Sequence, residues 1–248
     1  MNDNDEKTPP PRATPQQPAS PRHAALADCD VFVERVREAC LRPGTQQALR
    51  RALAKPVHEV PARTHAALLR DGLVPDGGAA TKRAYYSVAA LIAVRPRTER
   101  LLDTTGQQAA QDSEKHSGTH PAGTQPLPPA ERIQPGATAD TTHTPSQVSW
   151  GTSLGASLAQ AVSRGGQDGI KEDGAESRLH LLVRQETDGM HRMLPAVLRL
   201  TGSAGVATDY GRLLYDVRRW QYDRDTTSTR WLEDYYRVLR RSGRPHNL

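Results

Sequence analysis

Apolar residues recur at three- and four-residue spacing through two stretches of the chain. In the first, Phe32, Val36 and Cys40 fall on one helical face. Thr45 can cap a second helix that turns Leu49, Ala52 and Leu53 inward and Arg50 and Arg51 outward, and Pro56 ends it. A third helix covers roughly residues 63–70. A fourth sets Tyr85, Val88, Ala89 and Ile92 on one stripe before Pro96. In the second stretch, Leu154, Leu158 and Val162 mark a short helix, and Leu179, Leu182 and Val183 begin another. Met190, Leu194, Val197 and Leu198 continue the pattern, with Pro195 expected to kink the helix or start a new one. Thr208 or Asp209 caps a helix bearing Tyr210, Leu213, Leu214 and Val217. Ser228 or Thr229 caps the last, with Trp231, Tyr235, Val238 and Leu239 inward. No run alternates with period two for long enough to demand a strand.

The pattern therefore predicts an all-α protein: two small helical bundles joined by a long flexible insertion, with a disordered N-terminal tail. Residues 1–28 are Pro-, Gln- and Ser-rich and form the tail. Residues 29–111 form the first bundle, with 97–108 able to extend it. Residues 112–149 form the insertion, where Pro, Thr, Gly and His crowd out large apolar side chains. Residues 150–248 form the second bundle.

Composition narrows this picture. Apolar residues make up 36% of the chain and Phe occurs once, so the core rests on Leu, Val, Ala and a few Tyr and Trp. The net charge of +5 is uneven: +5 across residues 29–95 and +3 across 151–248, against −2 between them. The positive excess thus lies in the segments expected to fold. A solvated surface can carry such an excess, but clustered Arg and Lys also suit phosphate. Cys29 and Cys40 sit at the two ends of one predicted helix, about 16 Å apart, which excludes a disulfide and fits a reducing cytoplasm. No apolar run is long enough to span a membrane, and the polar N-terminus is not a secretory signal.

Candidate chemistry is sparse. Residues 151–155 match G-x-S-x-G, but no strand precedes Ser153 and the pattern after it is helical, so Ser153 reads as a helix cap. The histidines are scattered, and neither a zinc signature nor a P-loop or dinucleotide-binding glycine motif occurs. Tyr85, Trp220, Trp231 and Tyr235 fall on apolar faces and read as core. Arg50-Arg51, Arg218-Arg219 and Arg240-Arg241 are adjacent pairs, about 100° apart on a helix, so one member of each can serve the surface and the other a salt bridge.

Several of these segments, in this order, resemble the CasB family, the small subunit of the type I-E CRISPR Cascade surveillance complex. The resemblance is carried by Phe32-Val33, by Ala48-Leu49-Arg50-Arg51-Ala52-Leu53, and by the Tyr85-Tyr86-Ser87-Val88 helix. It continues through Thr152-Ser153-Leu154-Gly155 and Ser177-Arg178-Leu179-His180. It ends with Asp209-Tyr210, Leu213-Leu214-Tyr215-Asp216-Val217-Arg218-Arg219-Trp220, Trp231 and Tyr235-Tyr236. The resemblance implies a non-catalytic subunit that binds nucleic-acid backbone without sequence specificity and stabilises the R-loop. It implies other Cascade subunits, CRISPR guide RNA, target DNA and a second copy of itself as partners, with no cofactor and no membrane.

Arg50, Arg51, Arg178, Arg184 and Arg199 are the expected contacts, because the apolar faces of their helices are accounted for. Arg178 and Arg184 rank lower, since Glu176, Glu186 and Asp188 can neutralise them. The alternative is a helical protein-interaction scaffold whose arginines serve only salt bridges.

Overall fold

The computed structural model describes residues 21–96, 150–164 and 170–243. Among them every regular element is helical. The helices are α1 (Pro21–Ala39), α2 (Pro43–Arg50), α3 (Ala62–Leu69), α4 (Ala79–Val94), α5 (Leu154–Arg164), α6 (Glu172–Val183), α7 (Thr187–Ser203) and α8 (Tyr210–Arg241), with a short 3₁₀ turn at Val57–Glu59. The expected insertion and most of the expected tail lie outside the described residues.

Four expectations change on contact with the structure. Helix α1 begins at Pro21, inside the stretch expected to be disordered. Leu26 and Cys29 are buried, and the His23 ring lies 4.7 Å from the Trp150 ring. Helix α2 starts at Pro43, two residues before the cap expected at Thr45. Pro195 lies within α7, which continues through it, because Met190, Leu194, Val197 and Leu198 are buried on both sides of the proline. The last two expected helices are one element, α8, bent where Asp223 leaves helical geometry (φ −144°, ψ 42°). The break lies at Asp223 rather than at Ser228 or Thr229. Its carboxylate accepts hydrogen bonds from Arg219 and from the Thr226 side chain, which hold it below the usual carboxylate range.

Helix α8 is the common wall of the fold. Its buried face includes Leu213, Leu214, Val217, Trp220, Trp231, Tyr235 and Leu239. It packs against α1 and α4 on one side and α5 on the other, so a single apolar core runs through both bundles. Phe32 meets Tyr85 edge-on at 4.7 Å, and the Arg218 guanidinium lies 5.4 Å from the Tyr85 ring. Trp220 and Trp231, one on each side of the bend, are 5.1 Å apart. Cys29 and Cys40 are buried and not joined in a disulfide, and burial pushes Cys29 up to about 11.

Inside this wall sits a buried carboxylate. Asp216 is wholly inaccessible to solvent. Its Oδ1 accepts from Arg212 Nε (3.1 Å) and Arg230 Nη2 (2.6 Å), and its Oδ2 from Trp231 Nε1 (2.7 Å). Burial pushes the carboxyl upward from its ordinary range, and the two guanidiniums and the indole N–H oppose that push. Arg212 also donates to the Trp150 carbonyl at 2.7 Å. The cluster therefore joins both halves of α8 to the residues that lead into α5.

Two glycines allow α8 this close approach. A Cβ on Gly155 of α5 would lie 2.7 Å from the carbonyl carbon of Trp231, with the carbonyl oxygen nearer still. Neither backbone can yield. Alanine is a better helix former than glycine by about 1 kcal/mol, so propensity alone favours Gly155→Ala. The clash outweighs it, and we expect Gly155→Ala to destabilise the protein by about 1–3 kcal/mol in denaturant unfolding. A stabilised variant would contradict the α5–α8 contact.

A Cβ on Gly211 would lie 2.9 Å from the carboxyl carbon of Asp30 in α1. The Asp30 residue is exposed as a whole, but its carboxyl end is pressed against α8. Desolvation there, reinforced by Asp209 and Glu34 and opposed by Arg37, raises it from 3.8 to about 6. The folded state therefore holds this proton more tightly than the unfolded chain, and the stability linked to it is lost as pH rises from about 4 through about 6. Asp30→Asn should raise the melting temperature relative to the parent at about pH 8 and leave the two nearly equal at about pH 4. Equal melting temperatures at both would show that the carboxylate is solvated.

Candidate nucleic-acid interface

Apart from exposed arginines paired with acids, such as Arg42 with Asp71 and Arg237 with Asp234, the described arginines form two sets. One set faces inward and holds the fold. Arg212 and Arg230 neutralise Asp216, and Arg218 lies between Tyr85 and Cys29, its Nη1 3.6 Å from the sulfur. Arg83 pairs with Asp188 across the two bundles. The adjacent pair at 218–219 splits as the helical geometry demands: Arg218 is half-buried, while Arg219 is exposed and bonded to Asp223 at 2.9 Å.

The other set faces solvent, and all five expected contact residues belong to it. Arg50 ends α2 and Arg51 caps it; both are exposed, and their side chains have no bonding partner among the described residues. Arg178 is exposed on α6 and donates to the Gly174 carbonyl at 2.8 Å. Arg184 caps α6, and Arg199 lies on the exposed face of α7; neither has an acidic partner among the described residues.

The acids expected to neutralise Arg178 and Arg184 are engaged elsewhere. Glu186 pairs with Arg224 at 2.5 Å, Asp188 with Arg83, and Glu176 accepts from the Tyr236 hydroxyl at 2.6 Å. That removes the physical reason for ranking Arg178 and Arg184 below Arg50 and Arg51.

The five do not converge on one point. Arg50 and Arg51 lie on α2, Arg178 and Arg184 on α6, and Arg199 on α7. Arg199 borders a groove of about 390 Å³ between the bundles, shared with Arg95, Leu53, Leu198 and Tyr210. The loop just beyond Arg51 thus reaches the same groove as α7. Arg63, Arg70 and Arg192 are further exposed arginines without partners among the described residues. Arg63 and Arg70 stand seven residues apart, a helical spacing that marks one face of α3.

Nothing among the described residues resembles a reaction centre. Ser153 Oγ donates to Asp234 (2.7 Å) and accepts from the Ala156 amide (3.3 Å) at the start of α5, so it caps that helix. It is not on a strand-to-helix turn. His191 is buried, and desolvation together with the Arg83 charge lowers it to about 3. No group of three His, Cys, Asp or Glu among the described residues is placed to hold a metal, and no described helix is long and apolar enough to cross a membrane.

Comparison with known proteins agrees with the arrangement of helices. A chain described as "CRISPR RNA-guided surveillance complex" is 29% identical, with a TM-score of 0.60, over 88% of this chain and 96% of its own. A CRISPR-associated protein of the Cse2 family and a CasB, both from Thermus thermophilus, each share the fold at 20% identity and a TM-score of 0.50. Each match covers 88% of this chain and 99% of the other. The comparison with curated proteins returned no significant match. The family model for CRISPR-associated protein Cse2 matches residues 47–236, from α2 to within the last turns of α8. The chain belongs to the Cse2 family of CRISPR-associated proteins.

Proposed function

We propose that the chain is the non-catalytic small subunit of a type I-E CRISPR Cascade complex. In this reading it works in the cytoplasm, beside other Cascade subunits, guide RNA, target DNA and a second copy of itself. It binds nucleic-acid backbone without reading sequence and stabilises the R-loop. The family match and the likeness to a surveillance-complex chain support the assembly. The observation that carries the binding activity is the division of the arginines. Those that hold the fold are paired inside, while Arg50, Arg51, Arg184 and Arg199 project into solvent without a carboxylate to neutralise them. Guanidiniums in that state suit phosphate, and phosphate contacts position a strand without selecting its bases. R-loop formation exchanges one duplex for another of similar stability, so a few such contacts can set its lifetime.

Replacing Arg50 and Arg51 together with Ala tests the reading. Exposed, unpaired charges contribute little to stability, so the melting temperature should stay within a few degrees of the parent. R-loop dissociation from the assembled complex should quicken, and the salt slope of strand binding should shrink by roughly one per lost phosphate contact. A sharply lowered melting temperature would assign the pair to the fold, and an unchanged R-loop lifetime would place the strand path elsewhere.

A further inference from the structure

The bend in α8 opens a pocket of about 450 Å³. Four arginines line it: Arg22 from the first turn of α1, Arg212 and Arg219 from α8 before the bend, and Arg230 from beyond it. Two carboxylates, Asp223 and Asp234, share the lining, and Asp216 lies buried behind it. Each of the three is already supplied with donors. Asp216 has two guanidiniums and an indole. Asp223 has Arg219 and Thr226, and Asp234 has Ser153 at 2.7 Å and Arg237 at 2.7 Å. The donors are not exhausted in turn. Arg22 has no partner among the described residues, and the Nε of Arg230 is buried without one. The Nε is closed to solvent, so the uncommitted donor that the pocket presents is the Arg22 guanidinium.

The pocket is also selective about which part of a nucleotide it can take. Its two rings, Trp150 and Tyr215, are already covered by guanidiniums: Arg212 lies 5.5 Å from the first, and Arg212 and Arg219 lie 5.9 and 5.6 Å from the second. With His23 also against Trp150 and Tyr215 itself buried, both rings are engaged by the protein, and the guanidiniums suit the interior to an oxyanion. Immediately beside it in sequence, Tyr222 is 75% exposed, the most exposed large apolar side chain described, and it adjoins the pocket residue Asp223. It offers the uncovered ring face that the interior lacks.

We propose that this pocket seats one backbone phosphate of a single-stranded polynucleotide, with a neighbouring base stacked on Tyr222. The assignment rests on the nucleic-acid reading above and adds a contact surface that none of the five expected arginines touches. Arg22 closes the site from α1. The bend in α8 gains a role, since a straight helix would not set Arg219 and Arg230 about one mouth.

The test uses the full-length chain and a fluorescent thymidine oligonucleotide, titrated at several salt concentrations. The variants are Arg22→Glu, Arg22→Gln, Tyr222→Ala and the Arg50/Arg51 double alanine. Arg22→Glu should weaken binding about five- to twentyfold and reduce the salt slope by about one, with Arg22→Gln intermediate. Tyr222→Ala should weaken binding about fivefold or more with the slope unchanged, because stacking releases no counterions. Melting temperatures verify that each variant is folded, and Arg22→Gln substitutes if the charge reversal is not.

If the parent binds and the Arg50/Arg51 variant weakens it while both Arg22 variants bind like the parent, the pocket assignment is wrong and the general reading stands. If the parent does not bind, both fall. Sodium phosphate against sodium chloride at equal ionic strength separates the two sources of an oxyanion. Stabilisation of the parent by phosphate, lost in Arg22→Glu without any change in strand affinity, would make this a small-anion site and overturn the proposal.

Discussion

The arrangement depends on one carboxylate placed where water cannot reach it. An unpaired charge at Asp216 would cost several kcal/mol, so the chain must bring donors to it. It does so from three places: one turn along α8 (Arg212), across the bend (Arg230), and from the next residue (Trp231). Meeting that demand fixes the angle of the bend and stacks Trp220 on Trp231. It also ties α8 to Trp150 through the second hydrogen bond of Arg212. Hydrophobic burial supplies the driving force here as in any small domain, but it is not directional. The buried ion cluster selects one geometry among the many that would bury the same apolar area.

The arginines that hold the fold are separate from those proposed to bind. Arg212, Arg218 and Arg230 are held by carboxylate, sulfur and aromatic faces, so they stay with the protein. The outer arginines of α2, α6 and α7 lack such partners and are available. Helix α8 serves both ends: its inner face joins the bundles into one core, and its bend gathers further guanidiniums at the surface. The strand-holding role proposed for this chain calls for an extended cationic surface of this kind more than a deep specific cleft.

Much of this was legible in the residue pattern, and the failures are instructive. Apolar spacing located the helices because each has one buried face. It placed Trp220, Trp231 and Tyr235 in the core correctly, since their neighbours at helical spacing are Leu and Val. Composition misled at residues 21–28, where alanine and a single leucine suffice because Trp150 and α8 cover them. Of the two outcomes expected at Pro195, a new helix does not occur, since packing on both sides outweighs the missing hydrogen bond. The bend could not be read at Ser228 or Thr229, because it depends on Asp223 meeting Arg219 and on Asp216 drawing Arg230 inward. Nor could the partners of the acids be read. Glu186 and Asp188 lie near Arg184 in sequence and choose Arg224 and Arg83 in space. Arg22 was hidden inside a stretch whose composition reads as tail.

The most direct measurement is the affinity of the full-length chain for single-stranded DNA as a function of salt, on a thymidine homopolymer and a mixed sequence of equal length. Phosphate neutralisation by exposed arginines predicts a straight fall of log affinity with log salt, with a slope of several units and little difference between the two sequences. Binding that ignores salt, depends strongly on sequence, or is absent while protein partners are still retained would contradict the account and favour a scaffold whose arginines serve only other proteins.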